Sequence, residues 1–226
     1  MKNFRANGLA VMLTLMLATA GAHAAMTTSS DASAFDAAVT SEGIETFFGV
    51  SQDAVGRSPM HRRTFGTEYT YVAETSPSGL VGAGSADQVW LTSNVATDVI
   101  TFTGFSSPIT AFGGYFFGTD FNGQYQLGDV VLTATDASGG TLQQTISGAT
   151  TSSFLGFLSD GDAIVSVSLY APSLPSGDSV WATSGGLVLA ESLPAVPEPP
   201  AIALLLGGLA SLGWARRRGW RQIWLH

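Results

Sequence analysis

The stretch DVVLTATDASGGTLQQTI, Asp129 to Ile146, decides the fold. Two runs rich in Val and Thr flank Asp136-Ala137-Ser138-Gly139-Gly140. β-Branched residues favour a pleated, half-buried surface, and a Gly-containing break of this length reads as a hairpin turn. Working outward, AIVSVSLYA (163–171) alternates, which predicts Val165, Val167 and Leu169 on one face and Ser166 and Ser168 on the other. DVITFTGF (98–105) and ITAFGGYFFG (109–118) flank Ser106-Ser107-Pro108. Further strands are expected in IETFF, FGTEYTYVA, QVWLTS, SFLGFLS and SVWATSGGLVLA, with turns at Asn122-Gly123, Asp160-Gly161 and Pro175-Ser176-Gly177. One helix is expected, in DASAFDAAV (31–39), capped by Ser30 or Asp31. Such short strands with regular turn signals predict an all-β, antiparallel sandwich of the jelly-roll type.

Composition agrees. The chain has 226 residues, of which 12% are charged and 27 are Gly, and its mean hydropathy is +0.27. It has no cysteine, which excludes a disulfide framework and thiolate chemistry. Between Ala25 and Pro197 three basic residues, Arg57, Arg62 and Arg63, stand against sixteen acidic ones, a balance of −13. That surface repels phosphate backbones and argues against nucleic-acid binding.

The ends carry the clearest functional signals. Lys2 and Arg5 precede an apolar run from Leu9 to Ala20, and Ala22-His23-Ala24 places small residues where a signal peptidase reads them. This predicts a signal peptide over 1–24, cut after Ala24, and an exported domain over 25–190. A Pro-rich linker follows over 191–200. From Ala201 to Trp214 there are 14 residues without charge. As a helix these reach roughly 21 Å, short of a hydrocarbon core about 30 Å thick. A transmembrane helix over 201–215 is therefore a marginal anchor on its own, although Ala203, Gly207 and Ser211 form a small-residue face suited to close helix packing. Arg216, Arg217 and Arg218 open a basic tail over 216–226 and act as a stop on the cytoplasmic side.

Val196-Pro197-Glu198-Pro199, a short Leu/Gly/Ala helix and an arginine cluster together resemble the PEP-CTERM sorting signal of Gram-negative bacteria. The resemblance covers about the last thirty residues. It implies that an exosortase, a membrane protease, recognises the tail and processes it near the Pro-Glu-Pro. Inner-membrane anchoring would precede release to the cell surface or to an exopolysaccharide matrix. Two prolines around Glu198 hold that segment out of helix and strand, and so accessible. The tail GWRQIWLH beyond the arginines is longer than the family pattern. The middle of the chain also resembles the sandwich ectodomains common in that group, through Phe35-x-x-x-Val39, ITFTGFSSPITAFGGYFF (100–117) and FLGFLSDGDAIVSVSLY (154–170).

No catalytic constellation stands out, and a non-enzymatic protein is expected. His61, in SPMHRRTFG, is read as a solvated loop histidine beside Arg62 and Arg63. The pairs Glu42 with Glu45 and Glu68 with Glu74 lack a supporting motif for glycoside hydrolysis. One histidine in the expected exported domain, and no cysteine, disfavour zinc. Calcium needs only oxygen donors, and Asp120, Asn122, Gln124 and Asp129 supply them within one stretch, although Gly123 is misplaced for an EF-hand and an Asn-Gly turn explains the same residues. The alternative function is a carbohydrate-binding module, with Trp90, Tyr115, Phe121, Tyr125 and Trp181 as aromatic contacts. A secreted hydrolase is the more distant alternative.

Overall fold

In the computed structural model, strand-forming runs and turn residues produce antiparallel sheets over the described residues, 25–52, 54–173 and 179–193. The elements in chain order are β1 (Met26–Ser29), α1 (Ala32–Asp36), β2 (Val39–Glu45), β3 (Met60–Arg63), β4 (Phe65–Gly66), β5 (Thr70–Thr75), β6 (Leu80–Ser85), β7 (Gln88–Ser93), β8 (Ile100–Thr103), β9 (Ala111–Thr119), β10 (Tyr125–Gln126), β11 (Gly128–Asp136), β12 (Thr141–Ala149), β13 (Phe154–Ser159), β14 (Ile164–Tyr170) and β15 (Trp181–Ser192). One sheet has the order β1-β13-β9-β15-β2-β4, with β10 beside β9 and the β6–β7 hairpin beside β15; the other has the order β12-β11-β14-β8-β5-β3. From β8 onward the chain changes sheet repeatedly: β9, β13 and β15 lie in the first, β11, β12 and β14 in the second. The two sheets share one apolar core, consistent with a β-sandwich.

The core follows from the alternation. Val130, Leu132 and Ala134 of β11, Val167 and Leu169 of β14, and Leu187 and Leu189 of β15 are all buried. Aromatic rings span the layer, with Phe102 and Phe112 5.6 Å apart and Phe112 stacked on Phe116 at 6.5 Å. The expected β11–β12 hairpin forms. The Asp136 carboxylate accepts from the Ser138 hydroxyl at 2.7 Å, the Ser138 amide at 2.9 Å and the Gly140 amide at 2.8 Å. The Ser138 hydroxyl first, then these turn amides, hold the Asp136 carboxyl below its ordinary value.

Two local readings change. Val165 does not share the core face with Val167 and Leu169; it is 44% exposed. Thr135 pairs with Ser166 while Asp136 pairs with Ile164, so Val165 is the extra residue of a bulge and Ile164 takes the inward position. The segment SPMHRRTFG is not a loop: Met60–Arg63 forms β3, paired with β5 at the sheet edge. His61 is exposed there, opposite Val72.

The expected helix is α1. Asp31 caps it, its carboxylate accepting from the Ala34 amide at 3.0 Å. Its buried residue, Phe35, lies on a floor made by two cross-strand partners, Gly113 of β9 and Gly156 of β13. The edge of the Phe154 ring meets it at 5.3 Å. A Cβ on Gly156 would collide with the Phe35 ring, so glycine is required for close approach here rather than for backbone freedom.

A buried charge joins the two sheets. Glu45, at the end of β2 and fully buried, accepts from Arg62 Nη2 at 2.9 Å and Arg62 Nε at 3.1 Å. It also accepts from the Phe47 amide at 2.6 Å and the Tyr71 hydroxyl at 3.1 Å. Arg62 completes its contacts on the Phe48 carbonyl at 3.0 Å. β2 belongs to one sheet, β3 and β5 to the other, so this cluster is a polar rivet between them. Removing one partner of such a pair leaves an uncompensated buried charge, typically a loss of about 3–5 kcal/mol. Burial first, then the Glu45 carboxylate, pushes the Tyr71 hydroxyl well above its ordinary value. Burial pulls the Arg62 guanidinium down, but its hydrogen bond and proximity to Glu45 outweigh that and leave it raised.

Two outcomes follow from this packing. Gly156→Ala should lower stability by about 1–3 kcal/mol through overpacking, and Phe35→Ala by about 3–5 kcal/mol. In urea unfolding the double variant should cost clearly less than the two single losses added together, because the collision and the ring disappear together; strict additivity would contradict the contact. Tyr71 is held neutral by the fold, so its contribution is complete below about pH 10 and is lost as pH rises through its raised folded value. Tyr71→Phe should cost about 1.5–3 kcal/mol at neutral pH and flatten the alkaline limb of a stability–pH curve; an alkaline limb identical to that of the unaltered protein would refute the assignment.

Candidate functional site

The sequence TDFNGQY (119–125) folds as a tight turn between β9 and β10. The Asp120 carboxylate accepts from the amides of Asn122 at 2.8 Å and Gln124 at 2.9 Å. The Asp120 amide donates to the Gln124 carbonyl at 2.8 Å, and Gly123 takes a positive φ of 72°. The tip is tied sideways to β6, where the Gly84 amide donates to the Gly123 carbonyl at 2.9 Å. Phe121 and Asn122 therefore stand at the apex of a turn fixed from both sides.

That apex forms one wall of a cleft of about 310 Å³. Trp181, the first residue of β15, meets the Phe121 ring edge to face, with centroids 6.0 Å apart and planes at 65°. The opposite wall comes from Gln52, Ala54 and Val55 and from the β6–β7 hairpin and the residue after it, through Val81, Gly82, Thr92, Ser93 and Asn94. Hydrogen bonds hold these pieces in place. The Gly82 amide donates to the Ser51 carbonyl at 2.7 Å, the Gln52 carboxamide donates to the carbonyls of Ala83 and Ser85 at 3.0 Å each, and the Thr92 hydroxyl donates to the Ala182 carbonyl at 3.0 Å. Among the described residues, the side-chain carboxamides of Asn94 and Asn122 have no hydrogen-bond partner. Phe121 is 81% exposed. Both carboxamides are exposed beside this ring, and so are open to water or to the hydroxyl groups of a ligand.

The five aromatic candidates divide between locations. Trp181 and Phe121 share the cleft. Trp90 and Tyr115 line a separate groove with Gln88, Phe117, Thr151 and Ser152. There Trp90 packs edge-on against the core residue Phe117 at 4.8 Å, and the half-exposed Tyr115 packs on Phe154 at 5.5 Å. Tyr125 lies in neither; it packs against Phe117 at 6.4 Å, and its hydroxyl donates to the Ala149 carbonyl at 3.3 Å.

The calcium candidates Asp120 and Asp129 both have hydrogen-bond partners. Asp120 spends an oxygen on its own turn in one sheet, whereas Asp129 of β11, in the other sheet, accepts from the Gly148 amide at 2.8 Å. Among the described residues no three His, Cys, Asp or Glu side chains gather as a metal site. The carboxylate pairs are also separated in role: Glu45 is enclosed in the inter-sheet cluster, and Glu68 lies 3.6 Å from Arg63 in an exposed ion pair. Sequence reasoning missed Arg62 as a structural cation, and it missed Asn94 and Gln52 as cleft residues.

Leu193 and Ala25 lie together at the end of β15 away from Trp181. The Leu193 amide donates to the Ala38 carbonyl at 2.8 Å, and the Ala25 nitrogen donates to the Asp160 carboxylate at 2.5 Å. Both residues line one depression with Thr27, Ala38, Leu158 and Ser192. Glu191 and Ser192, at the start of the expected linker, belong to β15, paired with Thr40 and Val39. The signal sequence, Val196–Pro199, the apolar run and Arg216–Arg218 lie outside the described residues. Among the described residues no helix is long and apolar enough to cross a membrane. No known protein family and no curated protein matches this chain.

Proposed function

We propose that this chain is an exported, non-enzymatic surface or matrix protein of a Gram-negative bacterium, sorted by a C-terminal signal of the PEP-CTERM type. A signal peptidase cuts after Ala24. The helix over 201–215, with Arg216–Arg218 behind it, tethers the protein in the inner membrane. An exosortase-type protease then processes it near Pro197-Glu198-Pro199, and the domain passes to the cell surface or to an exopolysaccharide matrix. The domain itself is read as jelly-roll-like. Support comes from the order β13-β9-β15-β2 facing β12-β11-β14-β8, with successive strands crossing between sheets.

The observation that carries the sorting reading is the order Val196-Pro197-Glu198-Pro199, short apolar run and arginine cluster in the sequence; the described ends of the domain, Ala25 and Leu193, line one depression, which is compatible with it. Ala25 and Leu193, the described residues nearest the two proposed processing points, lie together at the edge of the hydrogen-bonded domain. Processing at either place breaks no strand among the described residues. Cleavage after Ala24 converts the Ala25 donor into an ammonium beside Asp160, a gain rather than a loss of attraction. Intact-mass measurement on protein released by the native cells should give a chain from Ala25 to the neighbourhood of Pro197. Replacing Pro197, Glu198 and Pro199 by Ala should leave the longer form in the membrane fraction. A released chain still ending at His226 would overturn the reading.

A second reading, saccharide binding, is favoured by one feature: the Phe121–Trp181 cleft with its unpartnered carboxamides. It is compatible with the first, since a matrix protein requires something to hold.

A further inference from the structure

Resting on the saccharide reading, we infer that the Phe121–Trp181 cleft is a binding site for an uncharged polysaccharide, carried at the pole of the domain opposite its membrane tether. The chemistry follows from the lining. A sugar ring has apolar C–H faces and a rim of hydroxyls. The cleft offers the aromatic faces and edges of Phe121 and Trp181 to the former, and the carboxamides of Asn94 and Asn122 to the latter. Carboxamides both donate and accept, which suits hydroxyl groups and not a single sign of charge. The described lining contains no cation, and its one ionised side chain is Asp120. Within a domain of charge −13 this site repels a uronic acid polymer. Its volume of about 310 Å³ falls at the lower end of ligand sites, about 300–1,000 Å³.

The wall is also built before any ligand arrives. Asp120 fixes the apex that presents Phe121 and Asn122, and Gly123 anchors that apex to β6. Little ordering remains to be done on binding. The Trp90–Tyr115 groove lacks this character, because its rings are engaged with Phe117 and Phe154.

Position follows from β15. Trp181 begins that strand at the cleft, and Ser192 ends it beside Leu193 and Ala25. Eleven steps along a strand separate the two by about 35 Å. The tether therefore leaves at one end and the cleft opens at the other.

The test is affinity electrophoresis of the full-length protein, in mild detergent, through native gels containing dextran, mixed-linkage β-glucan, galactomannan or alginate. Retardation by at least one neutral polymer and not by alginate is expected, unchanged by a chelator. Phe121→Ala, a change at an exposed ring that leaves the core intact, should weaken retardation about tenfold, as should Asn122→Ala with Asn94→Ala. Tyr115→Ala should not. Retardation insensitive to Phe121→Ala but lost in Tyr115→Ala would overturn this site while leaving the saccharide reading in place. Preference for alginate, or loss on chelation, would overturn the uncharged class and the direct contact, respectively. No retardation by any polymer, with near-ultraviolet circular dichroism showing a folded protein, would overturn the site and the saccharide reading together.

Discussion

The arrangement depends on the pairing of β15 with β9. Nine residue pairs, from Trp181–Thr119 to Ala190–Ala111, hold these strands together, with one irregularity between Ser184 and Gly186. On its other edge β15 pairs first with β7 and then with β2, so three otherwise separate parts of the chain hang on it. β9 in turn carries β13 and β10. The floor under Phe35, the turn bearing Phe121 and the exit of the chain at Leu193 are all set by this one ladder. This twelve-residue strand reaches from the aromatic cleft at Trp181 to Ser192, beside Ala25 and Leu193.

The second constraint is charge. A chain with few basic residues in its middle commits Arg62 to a fully buried Glu45, with Tyr71 and the Phe47 amide satisfying the remaining lone pairs. Phe47 holds a positive φ of 56° at that point, a conformation that a bulky residue rarely takes, and its ring is fully buried. A cluster of this kind is weak evidence for net stability, since apolar substitutes are often as good. What it supplies is position. It fixes the end of β2 against β3 and β5, and so sets the stagger of one sheet over the other at the edge where apolar contact alone would be permissive.

Much of the fold was legible because its signals are local. The Asp136–Gly140 hairpin, the Asp31 cap and the limits of β7 at QVWLTS depend on residues a few positions apart, and each formed as expected. Signals that depend on distant partners were not legible. Val165 obeys the alternation in sequence, but the bulge that turns it outward is set by how β11 registers with β14. SPMHRR looked like a polar loop because it has one apolar side chain, Met60, to place on the core, and its other inward residue, Arg62, has its partner 17 residues upstream. β6, with its glycines, gave no strand signal and forms by pairing with β7. The aromatic candidates were correctly suspected as a class, yet only the fold separates Trp181 and Phe121 from Trp90 and Tyr115. An unpartnered Asn94 or Asn122 is visible only once the neighbouring amides have been assigned.

The proposed two-pole arrangement, with the tether following Leu193 at one end and the cleft at the other, is testable on the precursor that the proposal places in the membrane. The chain contains no cysteine, so Gly161→Cys beside the tether pole and Gln124→Cys in the cleft turn each give one labelling site. Energy transfer from a fluorophore at each site to acceptor lipids in the membrane reports their heights. Efficient transfer from position 161 and much weaker transfer from position 124, about 35 Å further along the domain, is the predicted result. Equal transfer from both sites, or the reverse order, would contradict it.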